Sequence, residues 1–297
     1  MAHFKWLASF VVAAVVVPTL TAETRCPGNV ESLPFHLVNR HQMIVGVYVN
    51  HSGPYDFLLD TGMQVTAVDL SVANELHLQP QGTAVVAGAG FSRSVSIAHL
   101  DSLEAGSHAV ADSRVLMYDL GKLHVQGVLG EDFLERFDVL IDNVHSLLCL
   151  DDSGAMRAEV HGPHTLLATP PKLGDGFGLS KLIIVEARLT DATRPLRLLL
   201  DSGANGAILY NASEYLNVPR TGHLQGASAD GGQRVFLALP PQDVKIGSLE
   251  LSGVPFFSLN GTQKDARAKG FDGVLTLGLF KRVFIAHADH FAVLEPR

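Results

Sequence analysis

An internal repeat, with a period of about half the chain, is the feature that most constrains the fold. Three pairs of segments match in the same order along the 297 residues. The pairs are 43–78 with 182–218, 103–117 with 244–258, and 127–142 with 273–287. Three matched pairs in one order are not expected by chance, so the sequence predicts two similar lobes.

Short apolar runs within each copy predict strands rather than long helices. The runs are rich in Val, Ile, Leu and Phe and are bounded by Gly, Pro, Asn and Asp. Helical periodicity is limited to short segments such as 70–78 and 131–137. We therefore predict a mainly β fold with two homologous β-barrel-like lobes related by pseudo-twofold symmetry.

A segment rich in Gly, Pro and small polar residues lies between the two copies, at residues 151–178. This composition is typical of a connection between folded units. The sequence thus predicts an N-terminal lobe at 23–150, an inter-lobe linker at 151–178 and a C-terminal lobe at 179–297.

The first 22 residues predict an export signal rather than part of a lobe. One lysine precedes an apolar stretch at 6–17, and Pro18 and small residues follow up to Ala22. The stretch is shorter than the roughly 20 residues of a membrane span. Leu20 is larger than the residue that signal cleavage prefers, which leaves an uncleaved N-terminal anchor as the alternative. We expect an exported protein, periplasmic or extracellular, with no other membrane segment.

Two cysteines, Cys26 and Cys149, leave two alternatives open. An exported chain reaches a compartment where disulfides form, so the two thiols can pair. Equally, Cys149 can be a buried free thiol at the end of a strand, with Cys26 in a mobile terminus. The sequence does not decide between a disulfide and two free thiols.

Composition and charge exclude several classes of function. Hydrophobic residues make up 47% and charged residues 18%, which is typical of a globular chain. The formal net charge of −8 gives no basic surface, so we expect no nucleic-acid partner. The 14 histidines include the segments HGPH and HADH, which lack acid or Cys partners at a metal-binding spacing. We expect no metal and no other cofactor.

Two apolar runs end on an acid at matched points of the repeat. They are DFLLDTG at 56–62 and LRLLLDSG at 196–203, with the acids Asp60 and Asp201. A carboxylate at the end of a buried strand is unfavourable unless it has a use. Packing of the lobes about a pseudo-twofold axis would bring the two acids together, and neighbouring carboxylates share one proton. The ionised acid can then take a proton from water while the neutral one polarises a carbonyl group.

The residues after each acid fit the same interpretation. Gly62 and Gly203 permit a tight turn in which backbone N–H groups approach the carboxylates. Thr61 and Ser202 carry hydroxyls that can form hydrogen bonds across the lobe interface. A single Asp-Thr-Gly sequence is a common turn, but two such turns at matched points of a repeat favour a catalytic site.

These motifs resemble the single-chain, two-lobe aspartic peptidases of the retropepsin-like and pepsin-like superfamily, particularly the exported bacterial type. DTGMQVTAVD at 60–69 and DSGANGAIL at 201–209 resemble the two active-site segments of that family. The segment around Val128, Leu129 and Gly130 resembles its apolar-apolar-Gly motif. The resemblance implies the acid protease fold, with catalytic roles for the two acids and a supporting hydroxyl beside each.

The sequence also departs from the family pattern. Thr276 stands where the first lobe has Gly130, and Gly278 stands where it has Asp132. We expect the Thr276 side chain to crowd the strand that supports the second acid. The first-lobe flap is predicted at 85–97, with Gly88 and Gly90 as its mobile glycines, and its second-lobe partner at 226–236.

Two functions from different classes follow from these observations. The first is an aspartic endopeptidase that hydrolyses peptide bonds of a protein or peptide substrate in the groove between the lobes. The alternative is a catalytically silent two-lobe module that binds a peptide or protein. Because both acids belong to one chain, we expect a monomer.

Overall fold

The computed structural model describes residues 25–88, 91–168, 182–219, 221–227, 232–259 and 270–297. The predicted signal at 1–22, the linker residues 169–178 and Gly90 lie outside the described residues. Within them the chain is mainly β, as predicted, and the strands form three sheets. No helix in this described part is long and apolar enough to cross a membrane.

The first half consists mainly of strands, with a few short helices between them. Its strands are β1 (Ser32–Pro34), β2 (His36–Val38), β3 (Gln42–Val49), β4 (Ser52–Leu59), β5 (Ala67–Asp69), β6 (Thr83–Gly88), β7 (Phe91–Ala105), β8 (His108–Tyr118), β9 (Gly127–Leu129), β10 (Asp138–Asp142) and β11 (Leu147–Asp151). Its helices are α1 (Leu70–Glu75) and α2 (Glu131–Leu134), with 3-10 turns at Pro27–Asn29 and Gly121–Leu123.

The second half repeats this pattern. Helix α3 (Ala155–Glu159) precedes the strands β12 (His164–Leu166), β13 (Ile184–Leu189), β14 (Leu196–Asp201), β15 (Ala207–Leu209), β16 (Thr221–Ala227), β17 (Gln233–Ala238), β18 (Gln242–Ile246), β19 (Leu249–Val254), β20 (Phe256–Leu259), β21 (Gly273–Thr276), β22 (Phe280–Ala286) and β23 (Phe291–Pro296). The 3-10 turns lie at Ala212–Glu214 and Leu277–Leu279.

Each half builds its own sheet with the same core arrangement. The first-lobe sheet has the order β2-β3-β4-β9-β5-β8-β7-β6, and the second-lobe sheet has the order β16-β17-β20-β15-β21-β14-β13-β18-β19. In the first lobe β4 runs parallel to β9, and β9 runs antiparallel to β5. Strands β14, β21 and β15 repeat this pairing in the second lobe. The two-lobe prediction from the repeat is confirmed.

A third sheet, called here the shared sheet, joins the two halves. Its order is β1-β11-β10-β22-β23-β12, so it contains strands from both ends of the chain. The junction is the antiparallel pair β10 and β22, with Leu140 opposite Phe284. Strand β12 lies within the predicted linker and pairs with β23 at one edge. The lobe boundaries themselves stay predictions.

The two cysteines form a disulfide beneath the shared sheet. Cys26 and Cys149 have Cα atoms 5.8 Å apart and close a loop with a sequence separation of 123. Both are buried in an apolar cluster with Leu140, Met156 and Phe284. The structure therefore contains the disulfide and not two free thiols, the two alternatives that the sequence left open.

Candidate active site

The two predicted catalytic acids stand at the ends of equivalent strands. Asp60 follows β4, and its backbone N–H donates to the carbonyl oxygen of Leu129 in β9 at 3.0 Å. Asp201 is the last residue of β14 and lies opposite Thr276 of the parallel strand β21. The three residues before each acid, FLL at 57–59 and LLL at 198–200, are apolar and buried. A short buried apolar run thus leads to each acid at the lobe interface.

Each acid lies directly against the glycine of the opposite lobe. A Cβ atom added to Gly203 would lie 2.6 Å from Cγ of Asp60. A Cβ atom added to Gly62 would overlap the carboxylate of Asp201. The two turns therefore interlock, and the absence of both side chains is what allows the acids to meet.

Four hydrogen bonds cross between the lobes at the residues after the acids. The Thr61 hydroxyl donates to the Leu200 carbonyl oxygen at 2.9 Å, and the Ser202 hydroxyl donates to the Leu59 carbonyl oxygen at 2.8 Å. The backbone N–H of Ser202 donates to Oγ1 of Thr61, and that of Thr61 donates to Oγ of Ser202, both at 3.0 Å. Thr61 and Ser202 are 0% and 2% exposed. These bonds lock the two turns in one geometry.

Backbone N–H groups orient both carboxylates. Gly62 donates to Oδ1 of Asp60 at 2.8 Å. Gly203 and Ala204 donate to Oδ1 of Asp201 at 2.8 and 2.9 Å. The structure thus brings together the six residues that the sequence singles out, namely Asp60, Thr61, Gly62, Asp201, Ser202 and Gly203. Their catalytic roles stay predictions.

A polar network behind Asp60 supports its turn in the first lobe. Thr66 donates to Oδ1 of Asp132 twice, from its backbone N–H at 2.9 Å and from its hydroxyl at 2.7 Å. The backbone N–H of Gly130 donates to Oγ1 of Thr66 at 3.1 Å. Burial raises the pKa of Asp132 to about 6, although the bonds from Thr66 oppose the shift. Thr66 belongs to the DTGMQVTAVD motif, but its role was not predicted from the sequence.

Thr276 supports the turn after Asp201 instead of crowding it. Its hydroxyl donates to the carbonyl oxygen of Ala204 at 2.6 Å and accepts from the backbone N–H of Gly278 at 3.2 Å. The expected clash is therefore wrong. In the first lobe the equivalent carbonyl oxygen, that of Met63, accepts a hydrogen bond from the backbone N–H of Glu131. In the second lobe the hydroxyl of Thr276 takes the place of that N–H group.

The predicted flaps are antiparallel hairpins. Strands β6 and β7 pair with Gly88 opposite Phe91, while Gly90 lies outside the described residues. In the second lobe β16 and β17 pair with Ala227 opposite Gln233. Closure of either hairpin over a substrate stays a prediction. Among the residues that the structure describes, no group of three or more His, Cys, Asp or Glu is placed to hold a metal ion.

Comparison with known proteins agrees with this geometry. Residues 45–133, which include the Asp60 turn and the Thr66–Asp132 network, match the family model described as aspartyl protease. The match covers the first-lobe part of the candidate site and supports the predicted likeness to the aspartic peptidases. A retropepsin-like aspartic protease from Rickettsia conorii is a similar solved structure, at 24% sequence identity, covering 41% of this chain and 90% of that chain, with a TM-score of 0.32. No curated protein matches the chain.

The candidate site is equivalent but not identical in its two lobes. The acids, glycines and hydroxyls match across the lobes. The supports behind them differ, because the first lobe uses Thr66 and Asp132 whereas the second uses the Thr276 hydroxyl. The chain therefore carries both halves of such a site and supports each half in its own way.

Proposed function

We propose that this protein is an aspartic endopeptidase in which Asp60 and Asp201 together activate a water molecule for peptide-bond hydrolysis. The observation that carries the proposal is the interlocked pair of turns, in which each acid lies against the glycine of the other lobe. Four cross-lobe hydrogen bonds hold this arrangement through Thr61 and Ser202.

The chemistry follows from the proximity of two like charges. Neighbouring carboxyl groups do not both ionise readily, so the pair Asp60 and Asp201 holds one proton between them at acid pH. The ionised carboxylate takes a proton from the bound water, and the resulting hydroxide attacks the carbonyl carbon of the peptide. The neutral carboxyl group donates its hydrogen bond to the carbonyl oxygen as negative charge develops there.

Collapse of the tetrahedral intermediate completes the reaction. The peptide C–N bond breaks, and the proton taken from water passes to the leaving nitrogen, which departs as an amine. The other product is a carboxyl group that carries the oxygen of the water. The two carboxyl groups end with one proton between them, as at the start, and no step forms a bond between the peptide and the protein.

An extended protein or peptide segment is the substrate that fits this arrangement. The acids lie where the two lobes meet, and the hairpins β6–β7 and β16–β17 each stand at one end of a lobe sheet. Closure of the hairpins would exclude water from the bound segment and strengthen the electrostatic interactions within the site.

We further propose that the peptidase works outside the cytoplasm, as a monomer. The N-terminal sequence supports export. The buried Cys26–Cys149 disulfide supports a compartment in which thiols are oxidised. Both acids come from one chain, which removes the need for a second copy at the site.

Digestion of an unfolded protein tests the proposal. The purified chain is incubated with it from about pH 3 to pH 8, a range that brackets the titration of carboxyl groups. Asp60→Asn and Asp201→Asn are the variants, and fragments are identified by mass. We expect internal cleavage that both variants lose. Uptake of one oxygen atom from labelled water into each new carboxyl terminus would show that the peptide bond is broken by hydrolysis.

Two results would overturn the proposal. Equal cleavage by the parent and both variants would assign the activity to a contaminant or to another site. Absence of cleavage at every pH, with binding of the unfolded protein retained, would favour the silent two-lobe binding module.

A further inference from the structure

A buried pair of ionisable side chains lies outside the proposed catalytic dyad and links the two halves of the chain. Glu131 is the first residue of α2, and His287 follows directly after β22. Nε2 of His287 lies 3.0 Å from Oε2 of Glu131, and the two residues are 3% and 0% exposed. The mechanism proposed above uses neither group.

The second ring nitrogen of His287 determines how the pair holds its proton. Nδ1 lies 2.7 Å from the carbonyl oxygen of Phe137. A carbonyl oxygen only accepts hydrogen bonds, so Nδ1 carries a hydrogen. Nε2 therefore either accepts from protonated Glu131 or donates to ionised Glu131, and in both cases one proton lies between the two side chains. Loss of that proton leaves two lone pairs facing each other at 3.0 Å.

The pair is connected to the turn after Asp60 through the start of α2. The backbone N–H of Glu131 donates to the Met63 carbonyl oxygen at 2.8 Å. The backbone N–H of Asp132 donates to the Gln64 carbonyl oxygen at 3.2 Å. His287, in the second half of the chain, therefore contacts the start of α2. The start of α2 in turn forms hydrogen bonds with residues 63–66.

We propose, on the basis of the function proposed above, that Glu131 and His287 are positioning residues that hold the turn after Asp60 only while they keep their shared proton. When the pair loses this proton, the facing lone pairs push the start of α2 away from His287. The two backbone hydrogen bonds from α2 to residues 63–64 then weaken, and the turn after Asp60 opens.

The surrounding charges favour retention of the proton. Burial lowers the pKa of His287, but the hydrogen bond and charge of Glu131, the Phe137 carbonyl oxygen and the charge of Glu135 together outweigh it, so the pKa is raised above its ordinary value of 6.5. Burial raises the pKa of Glu131, partly offset by His287. Oε1 of Glu131 is buried and has no hydrogen-bond partner among the described residues, which further disfavours its ionised form.

The groups that face the pair from neighbouring elements are mostly acidic. The charge of Glu135, at the end of α2, raises the pKa of both members. Asp132 of α2 interacts with Glu131, and Asp138 of β10, which is paired with Arg157, interacts with His287. The ring of His108, at the start of β8, packs edge-on against Phe137.

The sign of the pH dependence follows from these directions. The folded chain binds the protons of the pair more tightly than the unfolded chain, because both pKa values are raised. The stabilisation is therefore fully present in acid and is lost as the pH rises through the raised pKa of His287. Opening coupled to the loss of one proton becomes more favourable by about tenfold per pH unit above that pKa.

Hydrogen exchange measured by mass spectrometry tests the proposal without requiring catalysis. The full chain is compared with Glu131→Gln from about pH 5 to pH 9, and rates are corrected for intrinsic exchange. The glutamine amide donates to Nε2 of neutral His287, so the bond persists without a titrating carboxyl group. We expect the protection of amides in residues 60–66 to fall with rising pH more steeply in the wild type than in the variant, in which Asp132 still titrates beside this segment.

The matched control is His145→Gln. His145 also pairs with a buried acid of the shared sheet, since its Nδ1 lies 2.9 Å from Oδ2 of Asp142, but Asp142 accepts hydrogen bonds from residues 144 and 145 and from Arg282 and not from α2. This control should follow the wild type. An identical pH dependence in the wild type and Glu131→Gln would overturn the proposal. So would constant protection in the wild type, which remains measurable even if the variant does not fold.

Peptide cleavage separates this inference from the proposed function. We expect His287→Gln to lower kcat at a pH where the wild type is active, with little change in KM, because the substrate groove is intact. Activity that survives Asp60→Asn would contradict the proposed function but leave the exchange result standing. A constant exchange profile in an active enzyme would contradict only the role of Glu131 and His287.

Discussion

At the scale of single residues, the absence of a side chain at Gly62 and Gly203 allows the two acids to meet. We predict that Gly62→Ala lowers kcat/KM by at least about 100-fold, because the new methyl group occupies the space of the Asp201 carboxylate. Peptide cleavage and thermal unfolding of the same preparations measure activity and folding separately.

Gly206→Ala is the matched control for this prediction. Gly206 lies in the turn after the other acid, Asp201, but an added Cβ atom would meet the ring of Phe257 only at 3.6 Å, which is an ordinary contact distance. We expect activity near that of the wild type. Equal losses in Gly62→Ala and Gly206→Ala would mean that the effect comes from loss of flexibility and not from overlap with the acid.

A second residue-scale prediction concerns the pH dependence of stability. Burial raises the pKa of Asp132 from 3.8 to about 6, so the folded chain binds this proton more tightly than the unfolded chain. Stability is therefore lost as the pH rises between these values, by about 3 kcal/mol. The Asp132→Asn variant keeps an acceptor for Thr66 but does not titrate. We expect its unfolding free energy, relative to the wild type, to increase across this interval.

Denaturant unfolding at several pH values measures this difference directly. Taking the difference between variant and wild type cancels the titration of the groups they share. A difference that stays constant from pH 3.8 to about 6 would show that Asp132 does not titrate in this interval in the folded chain.

At the scale of elements, the sequence predicts what is local and what repeats. The matched acids, the glycines after them and the alternating apolar runs were sufficient to predict a mainly β fold with two similar lobes. Pairings between distant segments were not predictable. Strand β12 joins β23 within a stretch that the composition marks only as a linker.

The prediction that was wrong concerns the strand β21, which ends at Thr276 and was expected to be crowded by its side chain. The match of Thr276 with Gly130 predicted a crowded strand, and in the first lobe a Cβ atom at Gly130 would lie only 2.9 Å from the Met63 carbonyl oxygen. In the second lobe the threonine hydroxyl instead donates to the equivalent carbonyl oxygen, that of Ala204. A sequence gives the size of a side chain, but only the backbone position shows whether it clashes or forms a hydrogen bond.

The Glu131–His287 pair could not be predicted from the sequence for a related reason. The two residues are 156 positions apart, and HADH resembles a surface segment as much as a functional one. Only the pairing of β10 with β22 brings the end of β22 beside α2. Polar pairs that form across the two halves depend on the register of the shared sheet.

At the scale of the whole molecule, the shared sheet and its disulfide tie the N-terminal segment to the first lobe. We predict that Cys26→Ala with Cys149→Ala lowers the unfolding free energy by about 4 to 5 kcal/mol, since the bridge closes a loop with a sequence separation of 123. Denaturant unfolding measures the loss. The wild type with its disulfide reduced should match the double variant, and an unfolding free energy that does not respond to the reductant would contradict the prediction.

The central claim is that one chain builds a single active site from one acid in each lobe. The most direct test measures peptide cleavage by Asp60→Asn, by Asp201→Asn and by an equimolar mixture of the two. The account predicts that each variant loses at least about 100-fold in kcat/KM and that the mixture stays inactive, because both carboxyl groups must belong to the same chain. Wild-type activity in either variant, or recovery in the mixture, would contradict it.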